Sequence, residues 1–194
     1  MPDNYKATIS GTLQKINNCV IVIPDENNIQ SHEIIMTNLP EISDSKQAIY
    51  NNESIIGRSA PLYTYAHSGD RTIGMQLHFF ITQEKCPNLT CGQCAYCNLN
   101  HLRWIESAAY PRHGSNNAPY LPPTICRIKC GDLLGANNAA VCVVLQSYNV
   151  KFPTEVAWDA VTGCPYRFDV DTTWLVVYST DRLPYQSRIY TRGV

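Results

Sequence analysis

The chain has 194 residues and a net charge of −1, with 44% hydrophobic and 16% charged residues, the latter below the ~25% usual for soluble domains. That length suits one domain with additions and buries a core without covalent staples. The charge balance offers no basic stripe to neutralise phosphates, which argues against sequence-specific nucleic-acid binding, and no apolar run approaches the ~20 residues that span a bilayer.

The opening residues, MPDNYKATIS, lack a charged segment followed by an apolar one, so no secretory signal is expected and folding is placed in a cytoplasm. A hairpin is predicted next. Thr12 to Ile16 alternates, Asn17-Asn18 turns, and Cys19-Val20-Ile21-Val22-Ile23 returns until Pro24. Ile34-Ile35-Met36 reads as a short strand, and the polar stretch 37–54 as a loop with one helical turn. Between 55 and 82 a strand pair is predicted. Leu62, Thr64 and Ala66 alternate with Tyr63 and Tyr65, and His67-Ser68-Gly69-Asp70 serves as the turn. Ile73, Met75, Leu77 and Phe79 then recur with a strict period of two, which indicates one buried face.

A helix is expected over Asn98 to Tyr110, with Leu99, Leu102, Ile105 and Ala109 as its stripe and Pro111 as its stop. Residues 111–124 read as a Pro/Asn/Gly-rich loop. Strands follow at Ile125–Lys129 and Val141–Phe152, joined by GDLLGANNAA. The second changes face midway, as a bulge would make it do. Tyr166, Phe168 and Val170 alternate, Trp174–Tyr178 reads as a buried strand, and the tail as an extended arm. The sum is α+β, mainly β, with a β-sandwich or barrel core and one flanking helix. Three regions are assigned: an N-terminal extension at 1–54, the main domain at 55–180, and a C-terminal arm at 181–194.

The sequence has no GxGxxG, P-loop lysine, HExxH or GxSxG motif. The five histidines are scattered, and Asp169 and Asp171 read as a solvated strand face rather than a cation site. The chemistry concentrates in CPNLTCGQCAYC, where Cys86, Cys91, Cys94 and Cys97 follow a C-x4-C-x2-C-x2-C spacing. Two overlapping CxxC steps let thiolates converge on one centre, and Gly92 permits the tight turn. Four soft donors suit tetrahedral zinc or an iron–sulfur cluster, [4Fe–4S] for so compact a set. His101 stands one turn into the helix as an alternative ligand. Two local disulfides would use the same residues. A four-thiolate centre leaves no open coordination position, so the cluster reads as a staple and no catalytic residue is assigned. The other five, Cys19, Cys126, Cys130, Cys142 and Cys164, read as small buried hydrophobes.

The segments GRSAPLYTYAHSGDRTIGMQLHFF, LRWIESAAYP, APYLPPTICRIKCGDLLG and AVCVVLQSYNVKF together resemble the baseplate and tail-tube-like proteins of contractile phage tails, tube initiators and LysM-bearing relatives among them. The matching positions are Gly57-Arg58-Ser59, Pro61, Arg71, Leu102, Tyr110-Pro111, Pro122-Pro123 and Gly131-Asp132, within residues 55 to 180. The resemblance implies a tail-tube-like fold and a structural virion protein without catalysis. It also implies a homo-oligomeric, typically six-fold ring that meets tail-tube and baseplate hub or wedge proteins. A LysM module is not recognisable, so peptidoglycan binding is not implied. The cysteine cluster replaces what is a short strand-to-helix connection in that family. Some non-contractile phage tail-tip proteins hold an iron–sulfur cluster. The alternatives are a small iron–sulfur redox carrier and a zinc-stapled binding module of a cellular complex.

Overall fold

A computed structural model describes residues 19–25, 31–36, 38–82, 94–115, 118–131, 133–135, 140–160 and 163–178. Nine strands and one helix are formed there: β1 (Cys19–Pro24), β2 (Ser31–Met36), β3 (Glu41–Glu53), β4 (Leu62–Phe80), α1 (Ala95–Ala108), β5 (Arg112–Ser115), β6 (Ala118–Leu121), β7 (Cys126–Cys130), β8 (Val141–Lys151) and β9 (Arg167–Val176). Seven strands make a single antiparallel sheet in the order β2-β1-β7-β8-β9-β4-β3, and β5 and β6 pair separately. The fold is α+β and mainly β, as the strand patterning predicts. Its sheet stays open, and no barrel closes among the described residues.

One face of this sheet carries the core. Ile21, Ile34, Ile73, Leu77, Ile128, Val143, Phe168, Val170 and Trp174 are all fully buried. They alternate with partly exposed neighbours on most strands, as a sheet with one covered face requires. Leu102, Ile105 and Ala108 of α1 belong to the same cluster. A 14-residue helix is about 21 Å long and 10 Å wide, whereas seven flat strands would span roughly 29 Å between their edges. The helix packs over β1 and β8, and burial reaches Ile34 and Met36 of β2 at one edge of the sheet, whereas β3 at the other edge has no fully buried residue. Phe79 and Phe168 stack at 4.9 Å within this core, and Trp174 satisfies its indole N–H on the Thr172 hydroxyl at 2.8 Å.

Several expectations change. The polar stretch 41–53 is a 13-residue strand rather than a loop with a helical turn. His67-Ser68-Gly69-Asp70 does not turn: β4 runs unbroken from 62 to 80, and the pairing with β3 absorbs the irregularity as register shifts between Lys46 and Ala48 and between Ile49 and Tyr50. The hairpin instead reverses between Glu53 and Leu62, where Gly57 takes φ +88° and the Arg58 N–H bonds the Ile55 carbonyl. The loop predicted at 111–124 holds the small β5–β6 hairpin. The segments read as 166–170 and 174–178 are one strand, β9. The bulge predicted within β8 is present, between Leu145 and Ser147. Residues 19–53 supply three strands of the main sheet, β1 paired with β7 and β3 with β4. The strand expected at 12–16 and the arm at 181–194 lie outside the described residues.

Candidate functional site

The helix begins inside the cysteine cluster. Cys94 is its N-cap, in extended conformation, and the Cys94 Sγ accepts the Cys97 N–H at 3.4 Å. A sulfur takes here the role that a Ser or Asp oxygen usually fills. Cys97 lies one turn on and is fully buried, and Cys94 is 2% exposed. Two of the four predicted ligands are thus held together at a helix N-terminus. Cys86 and Cys91 lie outside the described residues. Among the described residues no three His, Cys, Asp or Glu side chains converge to hold a metal.

The strand that leads into the cluster and the helix that leaves it are joined directly. The Asn98 side-chain amide donates to the Phe80 carbonyl at 2.9 Å, which ties the end of β4 to the first turn of α1. This explains why a polar residue sits on the buried side, next to the apolar stripe read from the sequence. His101, one turn later, is also fully buried. Its ring lies 6.2 Å from that of Phe79 and 5.3 Å from that of Trp104, and both ring nitrogens lack a hydrogen-bond partner among the described residues, as does the side-chain Oδ1 of Asn98. Burial lowers the His101 pKa to about 4, so the imidazole is neutral at physiological pH. It is poised chemically as a ligand, yet it packs among aromatics rather than beside a third donor.

On the other face of β4 and β9, Asp169 is buried, not solvated as its alternation implied. The His78 Nδ1 and the Asp169 carboxylate are 2.6 Å apart. A carboxylate only accepts, so the imidazole donates. The Arg167 guanidinium adds contacts of 3.1 and 3.4 Å. Burial pushes the Asp169 pKa up, but the hydrogen bonds from His78 and Arg167 outweigh it and hold the carboxyl below its ordinary value. Asp171 pairs with Lys151. These acids are thus engaged by cations of the chain itself. A half-open groove of about 380 Å³ lies beside α1, between Pro24, His32, Trp104 and Tyr110, with His32 stacked on Trp104 at 4.3 Å. Ser107 and His32 both line it, but the Ser107 hydroxyl donates to the Trp104 carbonyl at 2.7 Å and the His32 ring stacks on Trp104.

The most distinctive surface is one that the motif search passed over. Strand β9 pairs only with Thr72 to Phe80 of β4, so the outer half of β4 and its β3 partner extend beyond the sheet as a two-stranded arm. Ile49, Tyr50, Leu62, Tyr63 and Tyr65 are exposed along it and Ile55 and Ile56 at its end, Ile56 completely. Tyr50 meets Tyr65 edge-on at 5.8 Å, and the Tyr65 hydroxyl bonds that of Ser68 at 2.8 Å. The base is pinned by a two-pronged Arg71–Asp44 pair, by Ser45 with Thr72 at 2.7 Å, and by Lys46 over the Tyr178 ring. The sequence signal was available as apolar residues on both faces of one strand, with alternation inside 62–66 that names neither face as buried.

No protein-family model and no curated protein matches the chain. Among the described residues, no helix is long and apolar enough to cross a membrane.

Proposed function

We propose that this chain is a structural assembly protein of a phage tail, part of the baseplate hub or tube-initiator ring that links tail tube to baseplate. The observation that carries the reading is the β3–β4 arm. A two-stranded ribbon is at best marginally stable alone in water, and this one exposes seven large apolar side chains. A surface of that kind is accounted for by a partner that covers it. In a ring of identical copies each arm lies on the next subunit, a head-to-tail contact that closes by rotation. Among the described residues nothing pairs with the outer edges of β2 and β3, which favours the same arrangement, since unpaired edges invite strand addition. The chain is read as non-catalytic, assembled in a host cytoplasm and resident in the virion.

Within that reading Cys86, Cys91, Cys94 and Cys97 form a closed four-thiolate centre, a [4Fe–4S] cluster or zinc, that staples the exit of β4 to the start of α1. Cys94 and Cys97 fit such a centre by their burial and their place on the first helical turn. The metal supplies cross-linking there and no reaction step. A redox carrier or a zinc module would share this centre but would have no use for the arm.

Light scattering after size exclusion, followed by electron microscopy of the eluted species, tests the proposal. Closed rings with the arms at subunit contacts are expected. A protein that stays monomeric at high concentration, and also fails to join tail tube or hub proteins, overturns the structural reading. Metal analysis and visible absorbance of anaerobically purified protein test the centre. Iron with a broad absorbance, or one zinc per chain, is expected and should vanish in Cys94→Ser. A metal-free wild type overturns the centre while leaving the ring untouched.

A further inference from the structure

Cys19 and Cys130 stand directly opposite each other in the antiparallel pairing of β1 with β7. Among the described residues they are the one cysteine pair in cross-strand register. Directly opposed residues of an antiparallel pair have Cα atoms about 4.5 or 5.5 Å apart, according to the type of pair. Both values fall inside the roughly 4.4–6.8 Å that a disulfide spans. Their side chains project to the same covered face, with exposures of 0% and 2%.

We propose that Cys19 and Cys130 are a site of reversible disulfide formation by hydrogen peroxide, which latches the edge hairpin β1–β2 to the centre of the sheet. In this structure both are thiols. The opposed thiols influence each other, so that the Cys19 pKa is raised and the Cys130 pKa lowered. Cys130, which ends β7 beside the Gly131 turn and has the lowered pKa, is the nucleophile of the pair. Its thiolate attacks one peroxide oxygen, the O–O bond breaks, and hydroxide leaves and takes a proton to become water. The Cys19 sulfur then attacks the resulting sulfenic acid. An S–S bond forms, the S–O bond breaks, and a second water departs with the Cys19 proton. Two thiols are oxidised by two electrons and one peroxide is reduced to two waters.

The surroundings make the pairing selective. Cys126 shares a face with Cys130 but lies four residues along β7, ~13 Å away at strand rise, and it is opposed by Val143. Cys142 is exposed and faces Arg127 across the sheet. Cys130 also sits where a strand opens first, as the last residue of β7 before a turn in which Gly131 takes φ +52°.

The test is peroxide treatment of the full-length, reduced protein, then alkylation and non-reducing digestion with trypsin plus an Asp-specific protease, which separates Cys130 from Cys142. A peptide linking Cys19 to Cys130 is expected to accumulate under native conditions and to disappear with dithiothreitol. The melting temperature should rise by several degrees and fall back on reduction, and Cys130→Ala should show no such response. Cys19 and Cys130 recovered as alkylated thiols while Cys142 is oxidised would overturn the proposal. So would linkage of either residue mainly to other cysteines. The wild-type peptide map decides the matter even where the variant fails to fold.

Discussion

The inner and outer halves of β4 share one backbone and one hairpin partner, yet their surroundings differ completely. From Thr72 to Gln76 the strand is flanked by β3 and β9 and from Leu77 to Phe80 it pairs with β9, and Ile73, Met75, Leu77 and Phe79 are buried. From Leu62 to Ser68 it has β3 alone and every residue is exposed. The outer half is not poorer in apolar residues, since Leu62, Tyr63, Tyr65 and Ala66 lie in it. What differs is the pairing with β9 and the layer that covers it. The inner half is material for this chain's own core, and the outer half is material for a contact with another molecule.

The largest effect is expected in the inner half. Trp174, beside Ile73 across the β4–β9 pairing, is fully buried. Trp174→Ala should cost about 3–5 kcal/mol, read as a lower urea midpoint, and a loss below ~1 kcal/mol would show that this half is not the core. Next comes the ion pair on the opposite face. Asp169→Asn should cost about 2 kcal/mol at neutral pH, as expected for hydrogen bonds to a buried charge. Because the folded-state pKa of Asp169 is depressed, its contribution is present above the ordinary carboxylate pKa and is lost as pH falls through the lower folded value. Between pH 5 and pH 2 the wild type should therefore lose more stability than Asp169→Asn. Parallel acid profiles would contradict that.

At the junction of the two halves, Asp44→Ala removes the partner of Arg71. A cost of about 0.5–1 kcal/mol is expected for so exposed a pair, with faster hydrogen exchange confined to the arm. Unchanged exchange there would detach the pair from arm anchoring. The smallest effect on stability belongs to the far end of the arm. Ile56→Ser with Tyr63→Ser should change the urea midpoint by no more than ~0.5 kcal/mol equivalent while abolishing self-association in light scattering. Intact rings in that double variant would move the interface elsewhere.

The candidate staple rests on metal-ligand spacing, a local property, and of its four cysteines Cys94 and Cys97 lie among the described residues. Cys94 and Cys97 were named from their spacing alone, and the fold adds that the first of them caps the helix. Its start was expected at Asn98 and comes at Ala95, because a cysteine was not weighed as a cap. Asn98 and His101 did not register as buried because polar residues score against a core. The hydrogen bond to the Phe80 carbonyl, which draws Asn98 inward, joins residues 18 apart.

Period-two alternation over 73–79, the apolar stripe of α1 and the change of face in β8 followed from side-chain periodicity, which each segment carries within itself. Strand β3, the continuity of β4 through His67-Ser68-Gly69-Asp70 and the meeting of Cys19 with Cys130 did not. Strand β3 is polar and exposed on both faces and is held in place by the backbone hydrogen bonds of its partner. The apparent turn is overruled because β3 keeps pairing across it while β4 carries the extra residues as bulges. The two cysteines are opposed only because β1 and β7, about a hundred residues apart in the chain, became neighbours. Strand pairing and register are decided between segments, by hydrogen bonds that any backbone can make and by burial that only the assembled sheet defines.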